Sequence, residues 1–77
     1  MDPSEWRAKY RTVLLKISTP AIEKELSDAE DTIVARTREL YQKTGPEVEV
    51  ERDALDDAMY ALHALRNALK AKVLNRR

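Results

Sequence analysis

Between Arg52 and Val73 the apolar residues fall on two adjoining helical stripes, and few folds can accommodate a segment patterned in this way. Leu55, Met59, Leu62, Leu65, Leu69 and Val73 recur at steps of three and four, which puts them on one side of an α-helix. Ala54, Ala58, Ala61, Ala64, Ala68 and Ala71 make the second stripe, and their methyl groups let another backbone approach closely. A helix apolar over so wide an arc needs more than one neighbour. The Leu/Met stripe is expected to close a hairpin within the chain. The stripe of Ala54, Ala58, Ala61, Ala64 and Ala68 is expected to be the seam with another subunit.

Length sharpens that expectation. The 77 residues suffice for one domain, and a three-helix core of that size lies near the lower limit at which burial offsets chain entropy. A homo-oligomer is therefore expected. The chain has no cysteine, which excludes disulfides, thiolate nucleophiles and cysteine metal ligands together. No apolar run approaches the length of a membrane span and no segment has the form of a signal peptide, so the sequence reads as that of a cytoplasmic protein.

Charge is balanced overall, at 14 basic and 14 acidic residues, but is unevenly spread. Residues 46–57 carry six acids and one base, whereas residues 58–77 carry five bases and no acid. Acids near a helix N-terminus and bases near its C-terminus complement the helix dipole. The same basic end could also gather anions in an assembled particle.

Taken in order, Asp2-Pro3-Ser4-Glu5 opens a first helix, expected over 3–17, with a capping Asp, Pro at the first helical position and Glu three residues after the cap. Trp6, Tyr10, Val13, Leu14 and Ile17 give it an apolar face, and Arg7, Lys9, Arg11 and Lys16 a basic one. Trp6 and Tyr10 read as core residues, or as rings that stack on a nucleotide whose phosphates the neighbouring bases neutralise. Ser18-Thr19-Pro20 restarts the chain, with Thr19 as cap and Pro20 first in a helix expected over 20–44. Ile22, Leu26, Ala29, Ile33 and Leu40 form its apolar stripe. Arg36 and Thr37 interrupt that stripe, either solvated at its edge, the favoured reading, or lining a polar pocket. Thr44-Gly45-Pro46 then ends the helix, because Gly adopts the left-handed conformation and Pro cannot continue. Glu47 to Glu51 alternates with period two, but a lone strand would leave its backbone groups unpaired, so it is read as the acidic start of a helix over 47–75. The fold class is all-α: a single domain with a short N-terminal helix and a long antiparallel helical hairpin, assembling as a helical oligomer.

Catalytic sets are not found. His63 stands mid-helix with Tyr60 and Asn67 as its polar neighbours, and it reads as a solvated or interface residue rather than a metal ligand. The carboxylates of 47–57 lack a sheltering pocket that would split their pKa values. No glycine-rich phosphate loop or nucleophile elbow is present. The chain therefore reads as a non-enzyme without cofactor or metal. Lys70, Lys72, Arg76 and Arg77 could touch nucleic-acid phosphates, but zero net charge and the lack of a short recognition unit argue against a DNA or RNA binder.

Pro46 and the segment Leu55-Asp56-Asp57-Ala58-Met59-Tyr60-Ala61-Leu62-His63-Ala64-Leu65 carry a family resemblance. A proline turn, then Leu, two acids, Ala, large apolar residues and an alanine-rich run is similar to the second hairpin arm of small phage proteins that sequester cyclic oligonucleotides. Those sponges blunt bacterial anti-phage signalling of the CBASS and Thoeris kind. The likeness covers less than half of the chain; the hairpin here is shorter, and His63 stands where Asn is usual. The resemblance implies a homo-oligomer, a hexamer in that family, in the host cytoplasm, with inter-subunit pockets for a cyclic di- or trinucleotide and no chemistry performed. Such a pocket wants cations and a stacking ring. By chemical type the candidates are Tyr10, Arg11 and Lys24 for one pocket, with Thr37 and Arg66 elsewhere. The alternative is a protein-interaction, assembly or inhibitor module using the Leu/Ala surface, with a nucleic-acid binder third.

Overall fold

The computed structural model describes residues 3–74, which form three α-helices: α1 (Pro3–Leu15), α2 (Ile22–Leu40) and α3 (Pro46–Leu74). The expected cap Asp2 and the terminal Arg76 and Arg77 lie outside the described residues. No helix among the described residues is long and apolar enough to cross a membrane.

Helix α1 packs on α2, and α2 on α3. The ion pairs give the directions. Arg36 meets Glu51 while Glu30 meets Arg66, so α2 and α3 run antiparallel. Lys16, just after α1, pairs with Glu25 near the start of α2 at 3.5 Å, and Trp6 at the start of α1 reaches Glu51 of α3. Helix α1 therefore runs antiparallel to α2 and beside the first half of α3. The 29 residues of α3 span about 43 Å at about 1.5 Å per residue, and the 13 of α1 cover less than half of that. The molecule is a rod of 50 × 17 × 15 Å. Its radius of gyration is 13.9 Å, whereas a compact chain of this length would have about 11.5 Å. A rod exposes more surface per residue, so its core is thin.

That core follows the predicted stripes. Val13, Leu26, Ile33, Leu40, Leu55 and Leu62 are fully buried, and Met59, Leu65 and Leu69 pack against them from α3. Trp6 joins the core and Tyr10 rests half-buried against it. Glu47 to Glu51 is helical, with α3 starting one residue earlier than expected, at Pro46.

Four expectations are corrected. Helix α1 ends at Leu15 rather than 17, and Lys16 to Ser18 form a turn. Helix α2 begins at Ile22 rather than Pro20, because the Thr19 hydroxyl donates backwards to the Lys16 carbonyl at 2.8 Å and does not cap the helix. It ends at Leu40 rather than 44, where Arg52 of α3 donates to the carbonyls of Leu40 (2.6 Å) and Lys43 (2.9 Å). A guanidinium thus satisfies acceptors that a further helical turn would otherwise have used. Gly45, at φ 128°, then turns the chain into α3. Finally, Arg36 is not at a solvated edge: it is 8% exposed, bound to Glu51.

The alanine stripe divides. Ala58 is buried and Ala54 packs against the core, both on the side of α3 that faces α1. Ala61 is half-buried, and Ala64, Ala68 and Ala71 are exposed. Only the second half of the stripe is open to a partner.

Because Arg52 of α3 donates to the carbonyls that end α2, its truncation has a local signature. Replacing Arg52 by Ala should cost about 1.5 kcal/mol, the scale of a charged hydrogen bond. Hydrogen exchange should quicken in the last turn of α2 more than at Leu26; uniform quickening would contradict a capping role.

Candidate binding groove between α1 and α3

Polar and apolar side chains can share one face of α1 because Arg7, Arg11 and Leu14 sit at i, i+4 and i+7, beside the stripe of Trp6, Tyr10 and Val13. That face looks along α3. Trp6, Arg7, Tyr10, Arg11 and Leu14 on one wall and Ala54, Asp57 and Ala58 on the other enclose an open groove of about 490 Å³. Alanine on α3 makes the room: larger residues at 54 and 58 would fill it. The volume lies in the range of small-molecule pockets, about 300–1,000 Å³.

The groove is anchored from beneath. The Trp6 indole Nε1 donates to Glu51 at 3.1 Å, and its ring carries the Arg7 guanidinium at 4.6 Å from the centroid. This cation–π contact keeps the Arg7 charge at the wall while leaving the residue exposed. Arg36 binds both oxygens of Glu51, through Nε at 2.6 Å and Nη2 at 2.9 Å, and Glu39 at 3.1 Å. The Arg36 hydrogen bonds hold the Glu51 carboxyl below its ordinary value, against burial that pushes it up, and the Trp6 hydrogen bond adds to the depression. Arg36 in turn is raised above its ordinary value, chiefly by the same hydrogen bond. One carboxylate therefore joins all three helices beneath Trp6 of the groove wall.

Of the candidates named from sequence, Tyr10 and Arg11 come together here. Lys24 stands exposed in the first turn of α2 and does not line the groove. Thr37 donates its hydroxyl to the Ile33 carbonyl at 2.8 Å and borders a smaller depression with Val34, Arg38, Asp56 and Met59. Arg66 is engaged within the chain, by Glu30 at 2.5 Å and the Ser27 hydroxyl at 3.4 Å. His63 is exposed, its Nε2 3.4 Å from Glu30. Among the described residues no group of three His, Asp or Glu side chains could hold a metal ion. Sequence reasoning missed Arg7 and Asp57 as groove residues. The signal for Arg7 was present in its four-residue spacing from Arg11; Asp57 required knowing where α1 lies on α3.

The arrangement offers two guanidiniums, the edge of an aromatic wall and an apolar floor, with the Asp57 carboxylate opposite. Flat rings can lie on the floor while anionic groups meet Arg7 and Arg11, and Asp57 can accept from an amino or hydroxyl group. Comparisons with family models, with curated proteins and with solved structures find no match to this chain.

Proposed function

We propose that this protein is a non-enzymatic binding module whose α1–α3 groove captures a flat, anionic ligand, most concretely a cyclic di- or trinucleotide. The observation that carries the reading is the convergence of Arg7, Arg11 and Tyr10 over the Ala54/Ala58 floor, a cation and ring set suited to phosphate and base together. The resemblance of the Leu55–Leu65 segment to phage proteins that sequester cyclic oligonucleotides supports the same class. On this reading the protein works by holding its ligand away from a receptor, as a homo-oligomer in the cytoplasm of a host cell. The thin rod and the exposed Val50 and Tyr60 of α3 support self-association.

A second reading has an observation of its own. Leu14 and Leu15 in the last turn of α1 and Ile17 in the turn after it are exposed apolar side chains that suit a protein partner. On that reading the chain is an assembly or inhibitor module.

Thermal denaturation with a panel of cyclic dinucleotides, cyclic trinucleotides and linear mononucleotides separates the two. A ligand at about a hundred times its Kd stabilises the native state by about 2.7 kcal/mol. For a domain of this size that raises Tm by on the order of 10 °C. The capture reading expects at least one cyclic member to do so and mononucleotides to do less. No shift at millimolar concentration from any member would transfer the proposal to the protein-interaction module.

A further inference from the structure

The outer face of α3, opposite the core, is unpartnered along its described length. Val50, Asp53, Asp57, Tyr60, Ala64, Asn67 and Ala71 follow at alternating steps of three and four, and every one is exposed. This is the spacing at which one helix meets another, distinct from the inner stripe that builds this chain's own core; here Val50, Tyr60, Ala64 and Ala71 supply its apolar members and Asp53, Asp57 and Asn67 its polar ones. Two of the members are large apolar side chains left in water, Val50 at 68% and Tyr60 at 78% exposure. The charges on this face divide at its middle. Asp53 and Asp57 lie on the seam with Glu49 and Asp56 exposed beside it, whereas Lys70 is the exposed charge beside the second half, and residues 58–77 contain no acid.

We propose that the partner on this face is a second copy of the chain, its α3 packed antiparallel about a two-fold axis between Tyr60 and Ala64. This rests on the self-association proposed above and gives it a geometry. Antiparallel seams pair alternate positions, so Tyr60 of each copy lies on Ala64 of the other, a large side chain on a small one, and Asp57 meets Asn67. Asp53 lies opposite Ala71 with Lys70 of the second copy alongside. A parallel arrangement would set Asp53 and Asp57 against their own counterparts, where like charges repel. Two-fold closure also makes the contact self-limiting. Asp57 borders the α1–α3 groove as well, so a groove opens beside each edge of the seam.

Sedimentation velocity across a concentration series tests the pairing, on the full chain and on three variants. The native protein is expected to form a dimer or an even-numbered assembly. Ala64→Glu changes an exposed residue, so helicity should be kept while dissociation increases at least tenfold. Asp53→Lys alone should weaken association by a similar factor, and Asp53→Lys with Lys70→Glu should restore it. A native protein that stays monomeric at its highest concentration overturns self-association and this pairing with it. Self-association that survives Ala64→Glu and both charge changes overturns the pairing alone. Ligand-induced stabilisation of the Ala64→Glu monomer reports on the groove separately.

Discussion

Replacing Glu51 by Ala should be the most damaging single change to a charged residue in this protein. Glu51 accepts from Arg36 twice and from Trp6 once, so its loss uncouples α1, α2 and α3 at one point. Arg36 is 8% exposed and would keep only part of its compensation, through Glu39. Removing one partner of a buried pair typically costs about 3 kcal/mol or more. Against a stability of roughly 4–11 kcal/mol for a domain of this length, that is a large share. The expected fall in Tm is on the order of 15 °C. Acid should reproduce part of the effect. The Glu51 carboxyl is depressed in the folded state, so its contribution is fully present above the ordinary value of 4.5 and is lost as pH falls through the folded value. Urea melts at pH 7 and pH 3 should show a smaller pH dependence in Glu51→Ala than in the native chain. An apolar pair, Arg36→Met with Glu51→Leu, should recover much of the loss, because desolvation of the charges is then removed as well. If Glu51→Ala melts within two or three degrees of the native protein, the ion pair does not organise the bundle.

Reversing charge on the groove, Arg7→Glu together with Arg11→Glu, should abolish ligand capture and leave the fold standing. Both residues are exposed, so helicity should be kept; Tm should fall modestly, because Arg7 also stacks on Trp6 and its charge favours the Glu51 carboxylate. Each charge-assisted hydrogen bond is worth about 1.5–3 kcal/mol, and a repelling carboxylate adds to the loss. Affinity for a cyclic dinucleotide should drop by at least a hundredfold. The same reversal at Lys24 and Arg38, which lie outside the groove, should alter affinity less than threefold. Equal losses at both pairs would mean that overall charge, not the groove, attracts the ligand.

How far these features can be read in the sequence varies with their origin. Local signals served well where the structure is local: the Pro3 and Gly45-Pro46 punctuation and the stripes through Leu26 and Leu62 produce three helices where they are expected. Helix ends were less legible because tertiary contacts set them. The end of α2 depends on Arg52 from another helix, and its start on a Thr19 hydroxyl that turns backwards. Arg36 broke an apolar pattern, and periodicity cannot distinguish a solvated edge from a buried ion pair. The distinguishing residue, Glu51, lies fifteen positions away and meets it only in the antiparallel register. The alanines share one stripe in the sequence but belong to two surfaces, since α1 is too short to cover more than Ala54 and Ala58. Tyr10 and Arg11, chosen by chemical type and nearness in sequence, do line one groove; Lys24 met the same criteria and lies elsewhere.

The groove itself is tested most directly by amide and indole chemical-shift mapping of the labelled protein during titration with a cyclic dinucleotide. Capture in the groove predicts saturable shifts at the Trp6 indole, Arg7, Tyr10, Arg11, Ala54 and Asp57, with Val34, Thr37 and Arg38 unmoved. Shifts confined to the Thr37 depression, or none at millimolar ligand, would contradict it.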